Sequence, residues 1–217
     1  MHIIARNIYI RNTKMTVKKR LKKDPTELSH ALKANLLRRK NSKSKEINPN
    51  FSNQIVILGS SNSSGKTKEA VSSLVNKKTT IIDLQTLNIS YYDYANKNSN
   101  DDYLPLIEKS LEHDLIILAT PVYWYSMCAQ MKTFIDRISD LTSIRKDLGR
   151  KLRGKKLFVI ASFDTSLPKS FEAPFSQTCE YLGIKYEGCS FIYGGNDIEL
   201  LKNNVFEIEK AKRVIEN

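Results

Sequence analysis

The sequence predicts an α/β fold: a three-layer sandwich whose five-stranded parallel sheet is covered by helices on both faces, preceded by a basic extension that is helical or disordered. Three observations carry this expectation. After residue 53, five short apolar runs alternate with five segments of helical periodicity, the pattern of successive βαβ units. The third run, Leu115–Ala119 (LIILA), is apolar without interruption, as a strand buried on both faces should be. The charge is also divided. Residues 1–52 hold 14 Lys and Arg against three Asp and Glu, whereas residues 53–217 hold 21 against 20, so the formal excess of +12 belongs almost entirely to the extension.

The first region runs over residues 1–53. It contains one expected helix, with Asp24 as N-cap, Pro25 in the first helical position and Glu27 in the third. Leu28, Leu32 and Leu36 then recur at four-residue spacing, and Arg38-Arg39-Lys40 suits the negative end of the helix dipole. Asn41–Asn53 is polar, carries Pro49 and reads as a linker. The second region, 54–217, holds the sandwich. Its expected strands are Gln54–Gly59, Thr79–Leu84, Leu115–Ala119, Leu157–Phe163 and Tyr186–Tyr193, and its expected helices are Lys66–Asn76, Tyr103–Glu112, Met127–Leu141, Phe171–Leu182 and Asn204–Glu216. Right-handed crossovers make this a doubly wound sheet.

Composition narrows the chemistry. Cys128, Cys179 and Cys189 are odd in number and lack metal-ligand spacing, which argues against a disulfide framework, zinc and iron–sulfur clusters alike. The longest apolar stretch, Leu115–Ala129, is too short to span a membrane and contains Thr120, Pro121 and Ser126. No signal peptide is visible at the start, so no membrane association is expected and a cytoplasmic setting is. His2, His30 and His113 are scattered, and no Ser–His–Asp set appears. No side-chain catalyst and no metal site are expected.

In doubly wound sheets, ligands bind beyond the carboxyl ends of the strands. After the first strand the chain reads Gly59-Ser60-Ser61-Asn62-Ser63-Ser64-Gly65-Lys66-Thr67 and then enters a helix. Five hydroxyls and the amides of a helix N-terminus are what a phosphate requires. Gly65-Lys66-Thr67 is also the ending of a phosphate-binding loop of nucleotide triphosphatases. That motif, however, needs glycine at the position of Ser60, and Leu115–Ala119 lacks a terminal aspartate for magnesium. An ordinary polar turn is the third reading.

After the third strand comes Thr120-Pro121-Val122-Tyr123-Trp124-Tyr125-Ser126-Met127, then Ala129-Gln130-Met131-Lys132-x-Phe134-Ile135-Asp136-Arg137. Three consecutive aromatic residues in a loop call for something to cover them: a planar ligand, a core or a dimer face. Phe134 and Ile135 are expected to face the sheet, and Asp136 and Arg137 to fix the helix or a dimer contact. Both motifs resemble the NADPH-dependent FMN reductases and flavodoxin-like NAD(P)H oxidoreductases. Gly59-Ser60-x-x-x-x-Gly65-x-Thr67 is similar to their opening loop, with departures at Ser61, Asn62 and Lys66. The aromatic segment and its helix are the most specific part of a likeness that covers about residues 54–195.

The resemblance implies a flavodoxin-like sandwich holding FMN, reduced by NADPH or NADH and passing electrons to a small-molecule acceptor such as a quinone or a flavin. It implies a phosphate site at Ser60, Asn62, Ser63, Ser64, Gly65 and Thr67. The ring site falls at Pro121, Val122, Tyr123 and Trp124, and Ser162 and Asp164 close it from the loop after the fourth strand. It is compatible with a homodimer or other homo-oligomer. A flavodoxin-like electron carrier without nicotinamide turnover is the alternative, although the acidic surface of such carriers is absent. The basic extension is expected to make weak contact with polyanions.

Overall fold

The computed structural model describes residues 53–98, 100–167 and 169–216. The helix expected from Asp24 lies outside these residues. Six strands are described: β1 (Gln54–Leu58), β2 (Thr80–Asp83), β3 (Leu115–Tyr123), β4 (Ser126–Met127), β5 (Lys156–Phe163) and β6 (Lys185–Tyr193). Five of them form the expected parallel sheet in the order β2-β1-β3-β5-β6, and β4 pairs antiparallel with the end of β3.

The apolar runs become central strands because both faces of the sheet are covered. Successive side chains of a strand point to opposite faces. Ile55, Ile57, Ile116, Leu118, Leu157 and Val159 accordingly join one apolar cluster, while Val56, Leu58, Leu115, Ile117, Phe158 and Ile160 join the other. The second cluster is closed by α1 (Lys66–Leu74), through Ala70, Val71 and Leu74, and by the C-terminal helix. The first is closed by α2 (Tyr103–Leu111), α3 (Ala129–Asp136), α4 (Ile138–Ser143), α5 (Lys146–Lys151) and α6 (Ala173–Leu182). Pro174 opens α6, and Gly183, in the left-handed region at φ 72°, ends it.

Two helical expectations need correction. Met127–Leu141 does not form one helix. Met127 pairs with Val122 as β4, and Cys128 remains extended (φ −65°, ψ 164°) with its amide donating to Thr120 Oγ1, so α3 starts only at Ala129. The helical path is interrupted again at Arg137. The last helix, α7 (Ile198–Ile215), starts six residues before the expected Asn204. Asp197 is its N-cap, its carboxylate accepting from the amides of Glu199 and Leu200. Ile198, Val205 and Phe206 on its first turns are exposed, so apolar spacing does not mark its buried face.

Arg137 is fully buried between α3 and α4. Its guanidinium donates to both carboxylate oxygens of Asp101, to Asp140 Oδ2 at 2.8 Å and to the Ser90 carbonyl at 3.0 Å, and it lies 4.7 Å from the centre of the Tyr103 ring. Asp101 in turn accepts from the amides of Ser90 and Tyr103. Burial alone would raise the Asp101 carboxyl, but the Arg137 and amide hydrogen bonds outweigh it and hold the group below the usual carboxylate range. Arg137, just after α3, thus ties the long β2–α2 connection to that helix. The neighbouring Asp136 makes an exposed pair with Lys132. Phe134 is buried and Ile135 packs at the margin of the same cluster. All three cysteines are free and buried. Burial pushes the Cys179 thiol up to about 12 and raises Cys189 well above its ordinary value.

Candidate functional site

The carboxyl ends of β1, β3 and β5 meet at one edge of the sheet, and each leads into one of the segments singled out in the sequence. The first is the loop 59–65 and the start of α1. Gly59 closes β1, its amide donating to the Ala119 carbonyl at 2.8 Å. A Cβ on Gly59 would come within 2.9 Å of Met131 Cβ, so glycine is required here by the approach of α3. Beyond it the loop is folded on its own side chains. Ser60 is buried and donates from Oγ to the Asn62 carbonyl at 3.1 Å. Asn62 Oδ1 accepts from both the Ser64 amide (3.0 Å) and the Ser64 hydroxyl (3.1 Å). Ser63 donates to Gln85 Oε1 at 2.9 Å.

This geometry gives the loop its chemical character. A carboxamide oxygen sits on one amide and one hydroxyl just before the helix. An oxygen of an anion asks for that same pair of donors. Gly65, the N-cap, supplies no side-chain cap to α1, and the first four N–H groups of any α-helix have no partner within the helix. The positive end of the helix dipole therefore faces outward from a donor-rich turn. Lys66 is exposed and paired with Glu69 at 3.3 Å. Thr67 is buried, and its hydroxyl lies 2.6 Å from Ser162 Oγ at the end of β5. These two side chains satisfy one another, so they brace the site from beneath rather than offering hydroxyls into it.

The second segment is a β-hairpin, not the extended loop that three adjacent aromatics suggested. β3 continues four residues past Ala119, and Tyr123 pairs with Ser126. The two residues between them, Trp124 (φ 49°) and Tyr125 (φ 65°), are both in the left-handed region. Positive φ at both central positions is the signature of a type I′ turn, which normally takes Asn-Gly. An aromatic residue held there costs roughly 1–2 kcal/mol. Trp124 is nonetheless 94% exposed and Tyr125 66% exposed, so burial of their rings does not offset the strain. Pro121 is buried in the strand, Val122 is partly covered, and Tyr123 is about half exposed.

The third segment follows β5. Phe163 is buried with its ring 5.4 Å from that of Tyr193, while Asp164, Thr165 and Ser166 are exposed. The Asp164 carboxylate lies over Gly194, where a Cβ would meet Oδ1 at 2.8 Å. Val122, Trp124, Tyr125, Phe163, Asp164, Thr165 and Ser166 together line an open cleft of about 250 Å³. Of the residues expected at the ring, Val122, Trp124 and Asp164 line this cleft, whereas Pro121, Tyr123 and Ser162 do not. Those expected at the phosphate converge on the α1 turn. The Thr67–Ser162 bond joins the two places.

The comparisons with known proteins agree with this architecture. A family model described as a flavodoxin-like fold matches residues 55–211. The chain belongs to the flavodoxin-like family. Within this family, a Bacillus subtilis protein, YwqN, provisionally named an NAD(P)H-dependent FMN-containing oxidoreductase, is 30% identical over 110 residues, which is 48% of this chain and 60% of that protein. The Escherichia coli K12 protein YcaK, named an uncharacterized NAD(P)H oxidoreductase, is 31% identical over 44% of this chain and 55% of its own length. The chain thus spans less than two thirds of the curated relatives it matches. Among solved structures, the Trp repressor binding protein of Bacillus subtilis superposes with a TM-score of 0.58 at 25% identity, over 76% of this chain and 99% of the other. An FMN-dependent NADH-azoreductase of Bacillus anthracis, solved with FMN, superposes at 0.55 and 13% identity over 76% of this chain and all of its own, a likeness of fold.

Sequence reasoning missed three features of this flavodoxin-like site. Gln85, after β2, reaches the phosphate-type loop from the neighbouring strand; a lone glutamine gives no signal. Gln130 donates to Ser61 from the first turn of α3. The hairpin itself was hidden because Trp-Tyr is not a turn sequence.

Proposed function

We propose that residues 54–217 form an FMN-binding domain and that the protein is an NAD(P)H-dependent oxidoreductase delivering electrons to a small-molecule acceptor. The observation that carries this reading is the aromatic hairpin, held at a cost in backbone strain against a cleft that adjoins a donor-rich helix N-terminus. A planar ring with a phosphate tail needs those two subsites side by side. The residues present fit such a group. Asn62 Oδ1 already rests on the Ser64 amide and hydroxyl as a phosphate oxygen would, and the cleft is open and walled by Trp124, Tyr125 and Val122.

In this reading Ser60, Asn62, Ser63, Ser64 and the amides from Gly65 to Thr67 hold the phosphate. Val122 and Trp124 would hold one side of the ring and Asp164 would border the other, while Pro121, Tyr123 and Ser162, which do not line the cleft, support these segments from their strands. Bound FMN would supply the redox chemistry, accepting a hydride equivalent from NADPH or NADH and releasing electrons to an acceptor. The protein's part is orientation and exclusion of water, and no side chain in the cleft is required as acid or base. The exposed faces of Trp124 and Tyr125 suit either a flat acceptor or a second copy of the chain, which supports self-association as part of the proposal.

The deciding experiment is the visible spectrum of purified protein, followed by chromatography of the cofactor released on heating. FMN and acceptor-dependent oxidation of NADPH or NADH are expected. Protein that neither contains nor takes up flavin would overturn the reading. FMN that neither nicotinamide reduces would leave a flavodoxin-like electron carrier.

A further inference from the structure

Gln130 sits on the first turn of α3, beside the phosphate-type loop but outside the residues assigned above. Three contacts fix that turn to the loop. Cys128 Sγ donates to the Gly59 carbonyl at 2.9 Å, Met131 abuts Gly59, and Gln130 Nε2 donates to Ser61 Oγ at 3.3 Å. Gln130 is therefore held by its neighbours on both sides in the chain and by its own side chain. The residue is partly exposed, but its amide nitrogen is engaged by the loop.

The other end of its carboxamide is anomalous. Gln130 Oε1 is buried and has no hydrogen-bond partner among the described residues. Folded proteins leave few buried polar atoms in that state, because each forfeits its hydration without return. Here the orphan belongs to a side chain whose amide nitrogen is spent on the candidate site itself.

We propose that Gln130 is a cofactor-binding residue that takes a hydroxyl of the ribityl chain, the segment joining the phosphate to the ring. The inference rests on FMN being the ligand. The phosphate dianion has no hydrogen to give an acceptor. The ring's N–H belongs at the aromatic hairpin. A hydroxyl next to the phosphate remains, and it suits the carboxamide in either orientation because it both donates and accepts. Small rotations of the Gln130 and Ser61 side chains would open Oε1 to it, and α3 need not move.

The test compares FMN with riboflavin, which keeps the ribityl chain and lacks the phosphate. Full-length protein, Gln130→Leu and Ser64→Ala are freed of flavin and titrated with each, following flavin fluorescence. Gln130→Leu is expected to weaken FMN and riboflavin by the same factor, about two- to twelvefold for one hydrogen bond. Ser64→Ala is expected to weaken FMN alone. Gln130→Leu leaving both affinities unchanged overturns the assignment. So does a loss for FMN without one for riboflavin, which would mean that Gln130 acts only through the phosphate loop. Should Gln130→Leu fail to fold, Gln130→Met is judged by the same two ratios. Wild-type protein that binds neither flavin defeats the proposed function itself, a result distinct from a flavin-binding protein indifferent to Gln130.

Discussion

Replacing Asp101 by asparagine should cost more stability than any surface change in the domain. The Arg137 side chain is wholly excluded from solvent and the Asp101 side chain is 4% exposed. The substitution removes the negative charge that receives two guanidinium N–H bonds, and it can turn an amide donor toward the Ser90 or Tyr103 amides that Asp101 now accepts. Asp140 and the Ser90 carbonyl keep part of the guanidinium satisfied. Breaking a buried pair from one side typically costs about 3–5 kcal/mol. For a domain of this size that corresponds to a fall in melting temperature of roughly 6–20 °C. The assay is urea unfolding of wild type and Asp101→Asn at neutral pH, repeated toward acid. The Asp101 carboxyl is depressed in the folded state, so its contribution is complete above the ordinary carboxylate range and is lost as pH falls through the lower folded value. The gap between the two proteins should therefore close in acid. A neutral-pH difference below about 1 kcal/mol, or a gap that persists unchanged in acid, would refute the account, because buried pairs differ from exposed ones in just this respect. Asp136→Asn is the control: its partner Lys132 is 55% exposed, and about 0–1 kcal/mol is expected.

Three further outcomes follow from the site. Trp124→Asn with Tyr125→Gly gives the hairpin the residues its turn prefers, so thermal unfolding should show roughly 1–3 kcal/mol of added stability while flavin retention falls; destabilisation would mean that the turn is not strained. Trp124 is the sole tryptophan, so adding FMN to flavin-free protein should quench its emission, and unchanged emission with bound FMN would put the ring elsewhere. Protein beginning at Ser52 should retain flavin and the folded circular dichroism but lose salt-sensitive binding to a polyanion such as heparin; equal binding by both lengths would remove the extension from that role.

The parts of the fold that were legible in sequence are those governed by burial. LIILA and LFVIASF announce central strands because a strand covered on both faces has no polar side to interrupt it. Gly59 and the serine-rich loop were legible because β1 ends where apolar residues stop. What could not be read depended on long-range partners. Arg137 carries no local sign that Asp101, 36 residues away, will meet it in the interior. Thr67 looked like a ligand hydroxyl until Ser162, 95 residues on, was found against it. The Trp124–Tyr125 turn contradicts local preference outright. Such contradictions concentrate where a structure serves something other than its own stability.

The three buried thiols give the molecule an internal clock. Cys128 lies beneath the α3 turn, whereas Cys179 and Cys189 sit in the core behind α6 and β6. An alkylating reagent can reach none of them until the chain opens. Modification of Cys128 then times breathing at the sheet edge, and modification of the other two times wholesale opening. Three identical rates would mean that the edge opens only with the whole domain. A faster Cys128, slowed by ligand, would mean that the edge is a separate unit of motion whose closure is part of binding.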